Sequence, residues 1–235
     1  MTEILVGCPV LHREWALDAW FEHVESSAVV AGLDPSYIFV GDPDRDPATF
    51  EVIARWAPTA EVIAVEDVKP TDNRVWSDRR YRRMVELRNH LLDGVRRLAP
   101  PMFLSLDSDI LLHPAALDDL VPLLRPQGEF DAVGGFCHLA EHGTKAPSYG
   151  FISKRGKLQR PAFIGPGRVD VIMAIKLMSP QAYQVDYIRD LNGEDTGWSK
   201  NARTHGLVLG WSGRVASKHM FNRTRLERED KRIGW

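Results

Sequence analysis

The chain has 235 residues, with 30 Lys and Arg against 32 Asp and Glu and a formal net charge of −2. That length can bury a sizeable core within one domain. The near-neutral balance argues against a protein dominated by nucleic-acid or lipid electrostatics, and no run approaches the ~18–20 apolar residues that span a bilayer.

Taken in chain order, "EILVGC" (3–8) reads as a buried strand and "REWALDAWFEHVESSAVVAG" (13–32) as a helix. A second strand "SYIFV" (36–40) precedes the turn-rich "GDPDRDP" (41–47), a helix "PATFEVIARW" (47–56) and a strand "AEVIAV" (60–65). The long helical pattern of 74–98 then leads into the strand "MFLSL" (102–106). These strands are apolar without polar alternation, as expected of a parallel sheet covered on both faces. Strand–helix alternation over the first hundred residues predicts an open α/β sheet with crossovers.

Beyond "DSD" (107–109) the rhythm changes. A helix is predicted over "PAALDDLVPLL", with Pro114 first and Asp109 or His113 as its cap. "FDAVGGF" (130–136) and "VDVIMAIKLM" (169–178) read as strands, separated by a Gly-, Pro- and Lys-rich segment too long for an ordinary connection. That segment reads as a functional loop, a hairpin excursion or a lid. A helix "SPQAYQVDYIRD" (179–190), a second one opened by "GEDTGW" (193–198) and a strand "LVLGW" (207–211) complete the order.

The expected organisation is a single domain over 1–235: a nucleotide-binding half (1–112), an acceptor-side half (113–220) and a tail (221–235). The amino terminus carries an acid where a leader needs basic residues, so a cytoplasmic location is expected. Cys8 and Cys137 have no metal-type spacing and read as packed, reduced thiols. "RRYRR" (79–83) and the basic tail read as solvated helix faces, with a nucleic-acid contact as the alternative.

Four features bear on chemistry. Asp107 and Asp109 follow a strand and, in an extended segment, project to one side, where hard oxygens suit Mg2+ or Mn2+. Ligands of open α/β sheets gather beyond the carboxyl ends of strands, the rim that "GCPV", "GDP" and "DSD" share. Arg88 falls within the apolar stripe of the long helix formed by Tyr81, Met84, Val85, Leu87, Leu91, Leu92, Val95 and Leu98. It needs either a core acid such as Asp107 or a nucleotide as partner. Glu194 and Asp195 stand at a helix amino end, as dipole partners or as a general base, with Trp198 as a platform for a ring. His219 follows the last strand, where a structural role is the simpler reading.

The ordered combination resembles the GT-A glycosyltransferases, and most the inverting family 2. "VDVIMAIKLMSPQAY", "GEDTGWSKNARTHGLVLGWSGRVASKHMF" and "ELRNHLL" (86–92) carry the likeness, which covers most of the chain at low identity. The resemblance implies a GT-A-like (Rossmann-like) α/β domain with a mostly parallel central sheet, helices on both faces and an antiparallel addition in the second half. It implies a metal-dependent, non-processive, inverting glycosyltransferase that uses a UDP- or GDP-linked sugar with Mn2+ or Mg2+. Pro9, Val10, Asp42, Arg88, Asp107 and Ser108 would bind the nucleotide, and Asp107, Asp109 and His219 would hold the metal. Asp195, supported by Glu194, would take the acceptor's proton, with Trp198 on the acceptor side.

Two departures are visible. Gly197 stands where family members often carry a further acid, and the motif of processive polymer synthases is absent. The acceptor is unknown, and the segment 137–168 is where its specificity is expected to lie. The rival readings are a nucleotidyltransferase acting on a sugar phosphate and a non-catalytic protein of the same fold. The first would need a Gly-rich loop after the first strand, where "GCPVLHREW" offers one Gly.

Overall fold

The structure is a computed structural model and describes residues 2–66, 78–137, 148–153, 157–159, 165–220, 222–224 and 226. The first residues of the long helical pattern, much of the segment 137–168 and most of the tail lie outside the described residues.

The strands are β1 (Thr2–Pro9), β2 (Leu33–Gly41), β3 (Glu61–Ala64), β4 (Phe103–Leu106), β5 (Ile110–Leu111), β6 (Ala132–Cys137), β7 (Tyr149–Ile152), β8 (Leu158–Gln159), β9 (Gly167–Arg168), β10 (Val171–Ile172), β11 (Ile175–Met178) and β12 (Leu209–His219). The helices are α1 (Glu14–Ala31), α2 (Pro47–Trp56), α3 (Asp78–Leu98), α4 (Ala116–Leu120) and α5 (Glu194–Thr204). The main sheet runs β3-β2-β1-β4-β11-β6-β12-β5, with β9 beside β12. From β3 to β4 every pairing is parallel; β11 then lies antiparallel to both β4 and β6, and β12 runs parallel to β6. This is the expected mostly parallel sheet with an antiparallel addition. A smaller antiparallel sheet, β10-β7-β8, forms from the parts of 148–172 that are described.

The two faces of the sheet carry separate cores. On one, Leu17, Trp20, Phe21 and Val24 recur at helical spacing along α1 and pack with Ile53 of α2 and Leu117 of α4. Trp20 and Phe21 meet edge to face at 5.1 Å, a geometry favoured by ring quadrupoles. On the other face, Leu87, Leu91, Leu92 and Val95 of α3 join Trp198 and Ala202 of α5. Both cysteines are free and buried. No described helix is long and apolar enough to cross a membrane.

Several elements differ from the sequence reading. The predicted helix 179–190 is only a 3-10 turn, Ala182–Gln184. Side chains from α3 and α5 satisfy its backbone instead: Arg96 donates to the carbonyls of Tyr183 and Gln184, Asn89 to that of Tyr187 and Trp198 to that of Val185. The run 169–178 is two strands in different sheets, broken at Ala174, whose φ is +58°. The last strand extends past Trp211 to His219 through a register shift. The helix after Pro114 is short and ends in a 3-10 turn, Val121–Leu123, where Pro122 lacks an N–H. Its start is met by His113 Nδ1, which accepts from the Ala115 N–H at 3.0 Å, and Asp109 is engaged elsewhere. β3 is an edge strand with alternating burial, and Leu98 lies largely exposed at the end of the α3 stripe.

Candidate active site

The carboxyl ends of β1, β2 and β4 form one rim, as the strand order requires. Pro9 ends β1 beside Val40, and the Val10 N–H continues the ladder to the Val40 carbonyl at 2.9 Å. Asp42 follows β2, buried, and pairs with Arg45 at 3.7 Å while accepting from its N–H. Asp46 caps α2 and also accepts from His12 N at 2.5 Å, which ties the loop after β1 to the loop after β2.

Asp107, Ser108 and Asp109 do not continue β4 as an extended segment. They turn, with Ile110 N–H donating to the Asp107 carbonyl at 3.0 Å, so the two acids part company and take different partners. Asp107 is ion-paired to Arg88, which also donates to Ser105 at 2.9 Å. Arg88 is 2% exposed, and the acid it was expected to need is Asp107. Burial would lower the guanidinium's pKa, but Asp107 and its other acidic neighbours hold it well above its ordinary value.

Asp109 faces two nitrogen-bearing side chains, Arg13 and His219. Arg13 of the β1–α1 loop reaches one oxygen at 3.3 Å and Ser108 Oγ at 3.2 Å, and His219 Nε2 lies 3.4 Å from the other oxygen. Burial pushes Asp109 up, yet His219 and Arg13 together bring its pKa below the ordinary carboxylate value. The structure thus brings His219, at the end of β12, onto Asp109, 110 residues earlier in the chain. Arg13 was not singled out in the sequence.

Glu194 and Asp195 open α5, with Gly193 before them in a conformation at φ +103°. Asp195 is ion-paired to Lys176 of β11 through one oxygen, and its other oxygen accepts from the Ala174 N–H at 3.2 Å. Burial raises Asp195, but Lys176 and Arg88 outweigh it and leave the acid below its ordinary range. Glu194 has no ion-pair partner among the described residues: burial first, and the Asp195 charge second, outweigh the distant Arg88 and push its pKa up to about 7. Arg88 lies within electrostatic reach of Asp107, Asp195 and Glu194, and links the two halves of the rim.

Lys176 escaped the sequence reading, although a lysine inside "VIMAIKLM" was the available signal. Trp198 is a correction. It is fully enclosed, donates to the Val185 carbonyl at 3.0 Å and packs beside Tyr187, so it belongs to the core under α5 and offers no exposed platform. Gly197 is explained by the same packing: a β-carbon there would lie 1.8 Å from the Ile188 carbonyl oxygen, so no further acid fits in this chain.

Among the described residues, no three His, Cys, Asp or Glu side chains gather closely enough to hold a metal by themselves. Asp109 and His219, an oxygen and a nitrogen donor facing one another, fit a divalent cation whose remaining positions come from a ligand or water. Asp107 is committed to Arg88 in this structure, so its expected place as a metal ligand is not met here.

No family model matches the chain, and no curated protein sequence matches it. Solved structures share its fold. Inositol-1-phosphate CTP transferase from T. maritima superposes with a TM-score of 0.58 at 10% identity, over 99% of this chain and 94% of that one. Glucosyl-3-phosphoglycerate synthase from Mycobacterium tuberculosis, in complex with phosphoglyceric acid, gives 0.57 at 16% identity, over 94% and 73%. A mannosyltransferase from Pyrobaculum calidifontis, in complex with GDP-Man and Mn2+, gives 0.55 at 12% identity, over 99% and 65%. The chain therefore has a GT-A-like fold.

Proposed function

We propose that this chain is a metal-dependent glycosyltransferase that moves a sugar from a UDP- or GDP-linked donor to an acceptor hydroxyl, with inversion and without processivity. The observation that carries the reading is the rim itself: one buried arginine, Arg88, lies between its partner Asp107 and the Lys176-held Asp195, and the Asp109–His219 pair stands two residues beyond Asp107. Solved relatives of the fold in complex with Mn2+ and a nucleotide sugar support the same assignment.

On this reading Pro9, Val10 and Asp42 frame the nucleobase, with Ser108 and the Arg88–Asp107 pair beneath the ribose and phosphates. Asp109 and His219 would hold Mn2+ or Mg2+. When bound, such a cation neutralises the charge that builds on a departing diphosphate. The acceptor oxygen forms its bond to the anomeric carbon as the bond from that carbon to the diphosphate oxygen breaks. The bonding pair leaves with the nucleoside diphosphate, and the hydroxyl proton passes to Asp195. Attack opposite the leaving group inverts the centre. The ionised state of Asp195 makes it a proton acceptor throughout the neutral range.

Titration calorimetry with UDP- and GDP-sugars, with and without Mn2+, tests the reading. Binding that requires the cation and is lost in Asp109→Asn supports it; no binding of any such donor overturns it. At ~100 times its Kd a true ligand adds about 2.7 kcal/mol of stability, so a thermal-shift screen finds the donor. The fold shared with a CTP transferase along nearly its whole length keeps one other reading in view, a nucleotidyltransferase. Release of pyrophosphate from a nucleoside triphosphate in the presence of a sugar phosphate would establish that one instead.

A further inference from the structure

We propose that Lys176 is a positioning residue for the proton acceptor: from inside the sheet it fixes the Asp195 carboxylate in place. The inference rests on the transferase reading and adds a residue to it.

Lys176 sits in β11 opposite Ser105 of β4 and Gly134 of β6, and it is 0% exposed. A cation cut off from water is costly unless paired, and an apolar residue of similar volume at such a place is often neutral or better for stability. Strand packing alone would be served by a leucine or methionine. What the lysine adds is geometry. Its ammonium takes one oxygen of Asp195, and the Ala174 N–H takes the other at 3.2 Å. Ala174 holds φ +58°, a backbone conformation uncommon for a residue other than glycine, and this turn between β10 and β11 is what aims its N–H at the carboxylate.

The ammonium is itself held. It lies 5.1 Å from the centroid of the Tyr187 ring, and the same ring takes the Arg88 guanidinium at 5.8 Å. Tyr187 cannot drift, because Asn89 of α3 accepts from its N–H at 2.7 Å and donates to its carbonyl at 3.0 Å. One aromatic residue therefore locates both buried cations, the one beneath Asp107 and the one beneath Asp195.

The charges around Asp195 come from every element packed against it. Lys176 faces it from β11 and Arg88 from α3; Glu194 adjoins it on α5. Tyr187 before α5 and Asp107 after β4 act on Lys176, and the buried, neutral thiol of Cys137 at the end of β6 lies within electrostatic reach of Asp195. The Lys176 ammonium and the Ala174 N–H, both on Asp195, favour the negative charge of the acid pair there over Glu194. Without it, two adjacent acids compete for one charge in a buried site, and the position of the base is no longer fixed.

The test uses the full chain. Carbon-13 NMR of the side-chain carboxyls, assigned with Asp195→Asn, reads the Asp195 titration in the wild type. A midpoint below the ordinary 3.8 is expected, and one near 5 or above overturns the proposal. Lys176→Met should keep the Kd for a nucleoside diphosphate within about twofold, lose about 100-fold in kcat and move the acid limb of the kcat profile up by at least about one pH unit. Lys176→Arg should restore the limb and part of kcat. A Lys176→Met enzyme with wild-type kcat and an unmoved limb overturns the proposal. If that variant does not fold, the wild-type carboxyl titration decides. A wild type that binds no nucleotide sugar would sink the transferase reading and leave the titration result standing, so the two failures are distinguishable.

Discussion

At the end of β4, Asp109 shares its oxygens with Arg13 and His219, side chains that are 31% and 15% exposed. At the head of α5, Asp195 faces Lys176, which water does not reach. The first carboxylate is held by partly exposed groups that salt or a competing cation can reach; the second is held from within the sheet. Screened pairs of partly exposed side chains are weak, while a buried charge stripped of its partner is expensive. The contrast is the one the proposed roles require, an exchangeable ligand site on one side and a fixed proton acceptor on the other.

Four perturbations sharpen the contrast. Among the largest effects is the one expected on the α5 side from Gly197→Ala. Replacing a helical glycine by alanine usually gains up to about 1 kcal/mol, but here the new methyl would meet the Ile188 carbonyl oxygen at 1.8 Å. We expect a net loss of about 2–3 kcal/mol in urea unfolding. A gain would show that the chain before α5 yields easily. Next is Arg88→Met, which removes the cation common to both sides and strips Asp107 and Ser105 of their partner. A loss of about 3 kcal/mol is expected, toward the lower end for a broken buried pair because Asp107 keeps some contact with water.

Glu194→Gln gives a pH-dependent effect. The folded protein holds Glu194 at about 7, against an ordinary value of 4.5. The unfolded chain therefore gives up this proton first, and stability falls as pH rises from about 4.5 to 7. Gln removes that loss. Thermal unfolding should find the variant more stable than wild type at pH 8, by up to roughly 3 kcal/mol, with the difference vanishing toward pH 4.5. A gap of constant size across that range would show that Glu194 is not held protonated by the fold. The smallest effect is expected from Arg13→Ala, below about 1 kcal/mol and fading with added salt, since the Asp109 pair is partly exposed.

The amino-terminal half could be read in the sequence because its chemistry follows from neighbours in the chain. Apolar runs of strand length alternate with amphipathic helices, and parallel β1, β2 and β4 must then end on one rim, which carries Pro9, Asp42 and Asp107 there together. Arg88 announced itself as a charge within an apolar stripe, and its partner proved to be Asp107. The acid pair at the head of α5 was visible for the same local reason, as negative charge on a helix amino end.

What the sequence by itself determined was the strand–helix rhythm, the candidate acids and the charge anomalies. Only the tertiary structure decided which charge meets which. Nothing local places His219 on Asp109 or Lys176 under Asp195, because β11 and β12 enter the sheet out of chain order. Nor does periodicity show that 179–190 forgoes a helix, since its backbone is satisfied by Asn89, Arg96 and Trp198 from other elements. Propensity acts between near neighbours along the chain; pairing a buried charge depends on what the fold brings beside it.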